Sequence, residues 1–488
     1  MARTRLEKST ADYLSQLAPE ILRSIFAYFC PHCCNEYQCP YGAPPDSNRV
    51  EHNTALYNLC LVSRYFRASA QETLHHSFDP YYPTWDPPNP WERRLEPFLL
   101  TMASRPDLAR SVKTLFLKSR LLESLDFDES RKAFDTCARV LGSSSQVLYR
   151  KTRKTHLSAI KRAFFLGTRT YTFLRPQDFL PIVGDQLLSV LVAILPNLSH
   201  ISIEEGRRWR FDVSPATLDN MGVRSIPLKI LEIEHALPNL LARAPGLETL
   251  VTSALSEFPN MPCLRNLHIR SKDAVGAPAI EHLLSACTGT LSTFSYTSFD
   301  SDIVGVVNLL DIPRFHASLE TLHLNMLKTD SKGDHKIPSL KQFTQLKSLF
   351  LHTYFLYGPR SPTCCRTECK VKSLFDILPS SITSLDLSER TPTPDGRMYD
   401  DLLILSKDAA FAFPQLKEIR SNAGPACDEY PQTLFKSVGV DLIYQDPTIC
   451  CWIDTVVRII GGGDCYHYDL GHGGGAMPLP SELSDDDL

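Results

Sequence analysis

A chain of 488 residues, 43% hydrophobic and 22% charged, can bury a large core and is too apolar to stay disordered. Its formal net charge of -4 excludes the overall basic character of a default nucleic-acid binder. Fifteen cysteines, with no apolar run after Met1 to Arg5 to serve as a secretory signal, point to reduced thiols in a cytoplasmic or nuclear protein. The most apolar run, Leu187 to Leu195, is too short to span a bilayer and reads as a buried helix.

The first predicted element covers residues 17–29. Pro19 suits a helical first turn, where its missing N–H costs nothing, and Glu20 favours the positive end of the dipole. Ile21, Leu22, Ile25, Phe26 and Phe29 follow at helical spacing. A second helix is expected from Asn53 or Thr54, burying Leu56, Leu59, Val62, Phe66 and Ala70 and turning Arg64 and Arg67 to water. Residues 30–52 between them hold Cys30, His32, Cys33, Cys34 and Cys39. The Cys-x2-Cys pair Cys30 and Cys33, with Cys39 and His32, could supply four zinc ligands, and Cys34 lies beside them, but zinc signatures pair two Cys-x2-Cys knuckles and here the second is missing. The expectation is therefore no metal and no cofactor.

Residues 79–97 are rich in proline and aromatics and read as a stiff linker. Arg105 to Leu117 reads as a helical turn leading into a strand. Residues 127–165 look helical, with a basic run at Arg150, Lys151, Arg153 and Lys154 expected on a solvated face. Then one phrase recurs, with large side chains at positions 1, 4 and 6. Its copies start at Leu264, Leu291, Leu319 and Leu346, which are 27, 28 and 27 residues apart. Positions 4 and 6 share one face of a strand, and no copy can bury that face alone, so the copies must stack. Looser copies flank them, from Val112, Leu115 and Leu117 to Leu416 and Ile419. Pro278, Ile280, Leu283 and Leu284, with Gly289 beyond, mark an intervening helix. Residues 446–488 read as a glycine-rich tail with an acidic end.

The repeated phrase resembles leucine-rich repeat proteins. That resemblance implies an α/β solenoid over residues 98–445, with parallel strands on the concave side and helices and loops outside. The family's Asn or Cys three places after position 6 is absent: Lys272, Leu327 and Tyr354 stand there, so the usual buried amide ladder needs a substitute. Residues 1–78 resemble an F-box, an all-α module, through Leu17, Pro19-Glu20-Ile21-Leu22, Ile25-Phe26 and Leu59 to Arg67. The departures are Ala18, where the family has proline, and the 30–52 insertion. The Arg105 to Leu117 phrase is similar to fungal F-box proteins carrying degenerate leucine-rich repeats.

The F-box resemblance implies docking to a Skp-type adaptor, and through it a cullin, by Leu17, Pro19, Ile21, Leu22, Ile25, Phe26, Leu59, Val62 and Phe66. The chain then reads as the substrate-recognition subunit of a ubiquitin ligase, binding a target protein on the concave face. The target-facing candidates are Glu204, Glu232, Glu234, Asn266, His268, Arg270, His323, Asn325, Phe350 and His352, an acidic entrance followed by a His- and Arg-bearing middle with one aromatic anchor. No hydrolase, zinc-protease, kinase or dinucleotide signature is present, so the reading is non-catalytic, with neither membrane nor nucleic acid as partner. The alternative is a repeat scaffold unrelated to ubiquitin, whose N-terminal helices only cap the stack.

Overall fold

The computed structural model describes residues 17–30, 32–34, 48–78, 94–118, 121, 127–142, 176–204, 212–253, 258–271, 277–298, 303–326, 337–357, 373–388, 396–421 and 430–444. The basic run at 150–154 and the tail after 444 lie outside them. Among the described residues, twelve strands form one sheet in simple sequence order, every neighbouring pair parallel. They are β1 (Ser77–Phe78), β2 (Thr114–Lys118), β3 (His200–Glu204), β4 (Ile230–Ile233), β5 (Thr249–Thr252) and β6 (Asn266–Ser271). The series continues with β7 (Thr293–Ser298), β8 (Thr321–Met326), β9 (Ser348–His352), β10 (Ser384–Ser388), β11 (Glu418–Ser421) and β12 (Asp441–Tyr444). A parallel sheet in this order requires a crossover after every strand, so the chain advances as coils of a leucine-rich-repeat-like solenoid.

The strand register places position 4 of each phrase against position 4 of the next. Leu115, Ile201, Leu231, Leu250, Leu267, Phe294, Leu322, Leu349, Leu385, Ile419 and Leu442 form one continuous ladder. Position 6 gives a second ladder, apolar except at Thr252 and Ser421. Apart from the half-buried Tyr444 at the end, both ladders are buried, and the position 1 residues Leu264, Leu291, Leu319 and Leu346 lie beneath them with no exposed surface. Each fully buried Leu, Ile or Phe side chain contributes about 1.5–3 kcal/mol of burial. No coil keeps that gain without its neighbour.

At the entrance to the strands the backbone forms a ladder of its own. The carbonyl at position 2 of each phrase accepts two amides from the following coil. Arg265 O takes the N–H groups of Ser292 and Thr293, Ser292 O those of Glu320 and Thr321, and Glu320 O those of Lys347 and Ser348. The same forked bond runs from Lys113 O to Ser199 and His200, through Ser199, Lys229 and Glu248, and on through Lys347 and Thr383. Its first rung is His76 O, which accepts from Lys113 N at 2.8 Å and Thr114 N at 3.0 Å.

Helices line the outer layer. The helix marked by Pro278 forms as α10 in the list that follows: α1 (Pro19–Ala27), α2 (Asn48–Val62), α3 (Arg64–Leu74), α4 (Leu95–Ser104), α5 (Pro106–Ser111), α6 (Phe127–Val140), α7 (Pro176–Ile194), α8 (Pro215–Asn220), α9 (Pro238–Ala242) and α10 (Ala277–Ala286). Ile280, Leu283 and Leu284 are its buried face. The predicted linker is shorter than 79–97 at its end, because α4 begins at Leu95, and Leu95 and Glu96 are already buried. The predicted second helix is two helices and starts earlier, at Asn48. Ser63 interrupts it: its side chain accepts from Tyr65 N and caps α3. No helix among the described residues is long and apolar enough to cross a membrane.

Candidate functional site

The N-terminal module, α1 to α3, has its own small core. Leu22, Phe26, Leu56, Cys60 and Ala70 are buried, with Leu17, Phe29, Leu59, Phe66 and Leu74 packed against them. Phe26 meets Phe66 edge to face, the ring centroids 6.3 Å apart. The nine residues assigned to adaptor docking therefore divide. Leu22 and Phe26 hold the module together, and Leu17, Leu59 and Phe66 support them. Pro19, Ile21, Ile25 and Val62 face solvent.

Four further exposed residues escaped the sequence reading: Tyr28, Tyr57, Leu61 and Tyr65. Tyr57, Leu61 and Tyr65 are spaced by four, a helical interval that could have revealed them. They were hidden because the chain was read as one helix burying Val62. Within α2, Leu56 and Cys60 take the buried side, which leaves Val62, two residues past Cys60, on the other side and 73% exposed. The Tyr65 hydroxyl donates to Leu17 O, and Arg23 pairs with Glu72 at 3.5 Å, tying α1 to α3.

On the solenoid, position 5 of every strand forms a third ladder on the side opposite the core. It runs Phe116, Ser202, Glu232, Val251, His268, Ser295, His323, Phe350, Asp386, Arg420 and Ile443. Glu232 accepts from His200 Nε2 at 3.0 Å if that nitrogen is protonated, and both are buried. His323 Nδ1 lies 3.0 Å from Ser295 Oγ, and the ring stacks on Phe350. His352 Nδ1 accepts from Tyr354 N at 3.2 Å. Of the target-facing candidates, Glu232, His268, Asn325 and His352 are buried. Glu234, Asn266, Arg270, His323 and Phe350 are half-buried and would meet a partner first. The side chain of Glu204 lies outside the described residues. Asp386 sits between Phe350 and Arg420 on this ladder, and burial pushes its carboxyl up to about 6.

The cysteine candidates also divide. Cys30 and Cys33 converge with His32 and with His76 at the end of α3. Cys33 Sγ lies 3.2 Å and Cys30 Sγ 3.6 Å from His76 Nδ1, and Cys33 Sγ lies 3.8 Å from His32 Nδ1. Cys34 turns away, its thiol donating to Ala27 O and Tyr28 O. Cys39 lies outside the described residues. His76 was missed because it stands 43 residues after Cys33, beyond both helices, and only folding brings it back.

No family model matches the chain, and no curated protein matches it. Among solved structures, the leucine-rich repeat-containing protein LegL7 from Legionella pneumophila is similar at 11% identity with a TM-score of 0.28. That alignment covers 73% of this chain and 92% of LegL7. A likeness of this size carries no weight for fold or function; the register of the twelve strands does.

Proposed function

We propose that the protein is a substrate receptor of a Skp-cullin-F-box ubiquitin ligase. The exposed apolar residues of the N-terminal module dock a Skp-type adaptor, and the strand face opposite the core holds a target protein. One observation carries the reading. A module small enough to need every apolar side chain inside leaves Ile21, Ile25, Tyr28, Tyr57, Leu61 and Val62 in water. Their F-box-like sequence context says which partner would cover them. The chain needs no catalytic group of its own, because holding a target beside a tethered transferase raises its effective concentration. The work would take place in the cytoplasm or nucleus, where the thiols stay reduced.

Co-purification tests this. Wild type recovers a Skp-type adaptor, and Ile25→Asp and Val62→Asp lose it; since both side chains are exposed, the variants stay folded. If wild type recovers no adaptor, the repeat scaffold with a helical cap takes the place of this reading.

A further inference from the structure

We infer that Cys30, His32, Cys33 and His76 form a structural zinc site that clips the N-terminal helical module to the first coil of the solenoid. The donor atoms of the four residues all lie within 4.8 Å of one another. Zinc–sulfur bonds of about 2.3 Å and zinc–nitrogen bonds of about 2.0–2.1 Å put sulfur and nitrogen ligands of a tetrahedron roughly 3.5 Å apart. The three sulfur–nitrogen separations, 3.2, 3.6 and 3.8 Å, surround that value. Both imidazoles present Nδ1, and their rings stand edge to face with centroids 5.6 Å apart.

The donor set selects the metal class. Two thiolates with two imidazoles in a compact tetrahedral cluster suit zinc, whereas carboxylate- and carbonyl-rich sites suit magnesium or calcium. The local backbone is prepared as well. The Cys34 amide donates to Cys30 O at 3.0 Å, closing a tight turn that turns both sulfurs of the Cys-x2-Cys inward. Burial pushes the free Cys30 thiol up to about 12, more than the backbone amides of Cys33 and His32 offset, and a bound divalent cation would hold the sulfur deprotonated instead.

The position explains why a metal belongs there. The module's core is a handful of side chains, and domains of that size commonly recruit a metal as a staple. His76 is also the residue whose carbonyl begins the forked backbone ladder, directly ahead of β1. A metal on its ring therefore joins the end of α1, the end of α3 and the start of the sheet at one point. The inference stands whether or not the module docks an adaptor.

Metal analysis of the full chain, purified without a metal-affinity tag, tests it together with cobalt(II) substitution. The expected result is zinc in wild type that falls by about one equivalent per chain in Cys33→Ser, His32→Ala and His76→Gln, but not in Cys34→Ser. Cobalt(II) should give the visible bands and thiolate charge transfer of a tetrahedral mixed sulfur–nitrogen site, lost in the same variants. Each of these variants is read separately, so any one that folds decides the matter. Wild type free of zinc that also refuses cobalt(II) under reducing conditions overturns the inference. So does a Cys30–Cys33 disulfide in the freshly purified chain, or a metal content that none of the three variants changes.

Discussion

The imidazole of His323 stacks on the ring of Phe350, their centroids 4.1 Å apart and their planes at 27°. Two strands earlier on the same ladder, on the other side of Ser295, sits His268. Burial pushes both histidines down to about 3, with the Arg270 guanidinium adding to the effect. The middle of the solenoid therefore holds two imidazoles that the folded state favours in the neutral form.

This makes the fold acid-sensitive in a defined window. Below about 6.5 the unfolded chain binds protons that the folded chain refuses, so stability falls as pH drops from there towards 3. Each histidine contributes a slope of up to about 1.4 kcal/mol per pH unit. Denaturant unfolding at stepped pH should show the fall. Substituting His268→Leu should flatten it, and an unchanged slope in that variant would show that the ring does not titrate on unfolding.

Asp386 works in the opposite sense. Its carboxyl is held at about 6 by desolvation, which outweighs the nearby Arg420 guanidinium. The folded state therefore holds a proton that the unfolded state has already lost, and stability falls as pH rises from about 4 to 6. Asp386→Asn should stabilise the protein at pH 7 by about 1–2 kcal/mol. A melting temperature at pH 7 that drops instead would mean that the carboxylate has a compensating role on this face.

Gly289 closes the turn after α10 against the backbone of the preceding coil, where a Cβ would run into the carbonyl of Pro262. The obstacle is main chain, so it cannot swing aside as a side chain would. Gly289→Ala should cost about 1–3 kcal/mol, the usual range for overpacking. Gly246 has open space where its Cβ would go, so Gly246→Ala serves as the control. Equal stability of the two variants would contradict the close approach.

The core ladder itself is testable at a single rung. Leu267 lies between Leu250 and Phe294 and has no exposed surface. Leu267→Ala should cost about 2–5 kcal/mol.

Much of the fold was legible because the stack repeats. Large residues at positions 1, 4 and 6 can be hidden only against neighbouring copies, and the spacing from Leu264 to Leu346 shows this directly. The forked carbonyl ladder was not legible, since backbone bonds leave no residue signature. The exposed apolar face of the N-terminal module was half legible. Periodicity finds an apolar helix but does not say which of Ile21 and Leu22, one residue apart, points inward. Val62 was misread because the buried side of α2 is set by Leu56 and Cys60, not by a face running on into α3. His76 was invisible because its partners Cys30 and Cys33 precede it by two helices.

Calorimetric titration of a purified Skp-type adaptor into the purified full chain tests the receptor reading most directly. The account predicts saturable one-to-one binding, weakened at least tenfold by Val62→Asp and by Ile25→Asp, with melting temperatures unchanged because both side chains are exposed. No binding by folded wild type, or binding that neither aspartate disturbs, would contradict it.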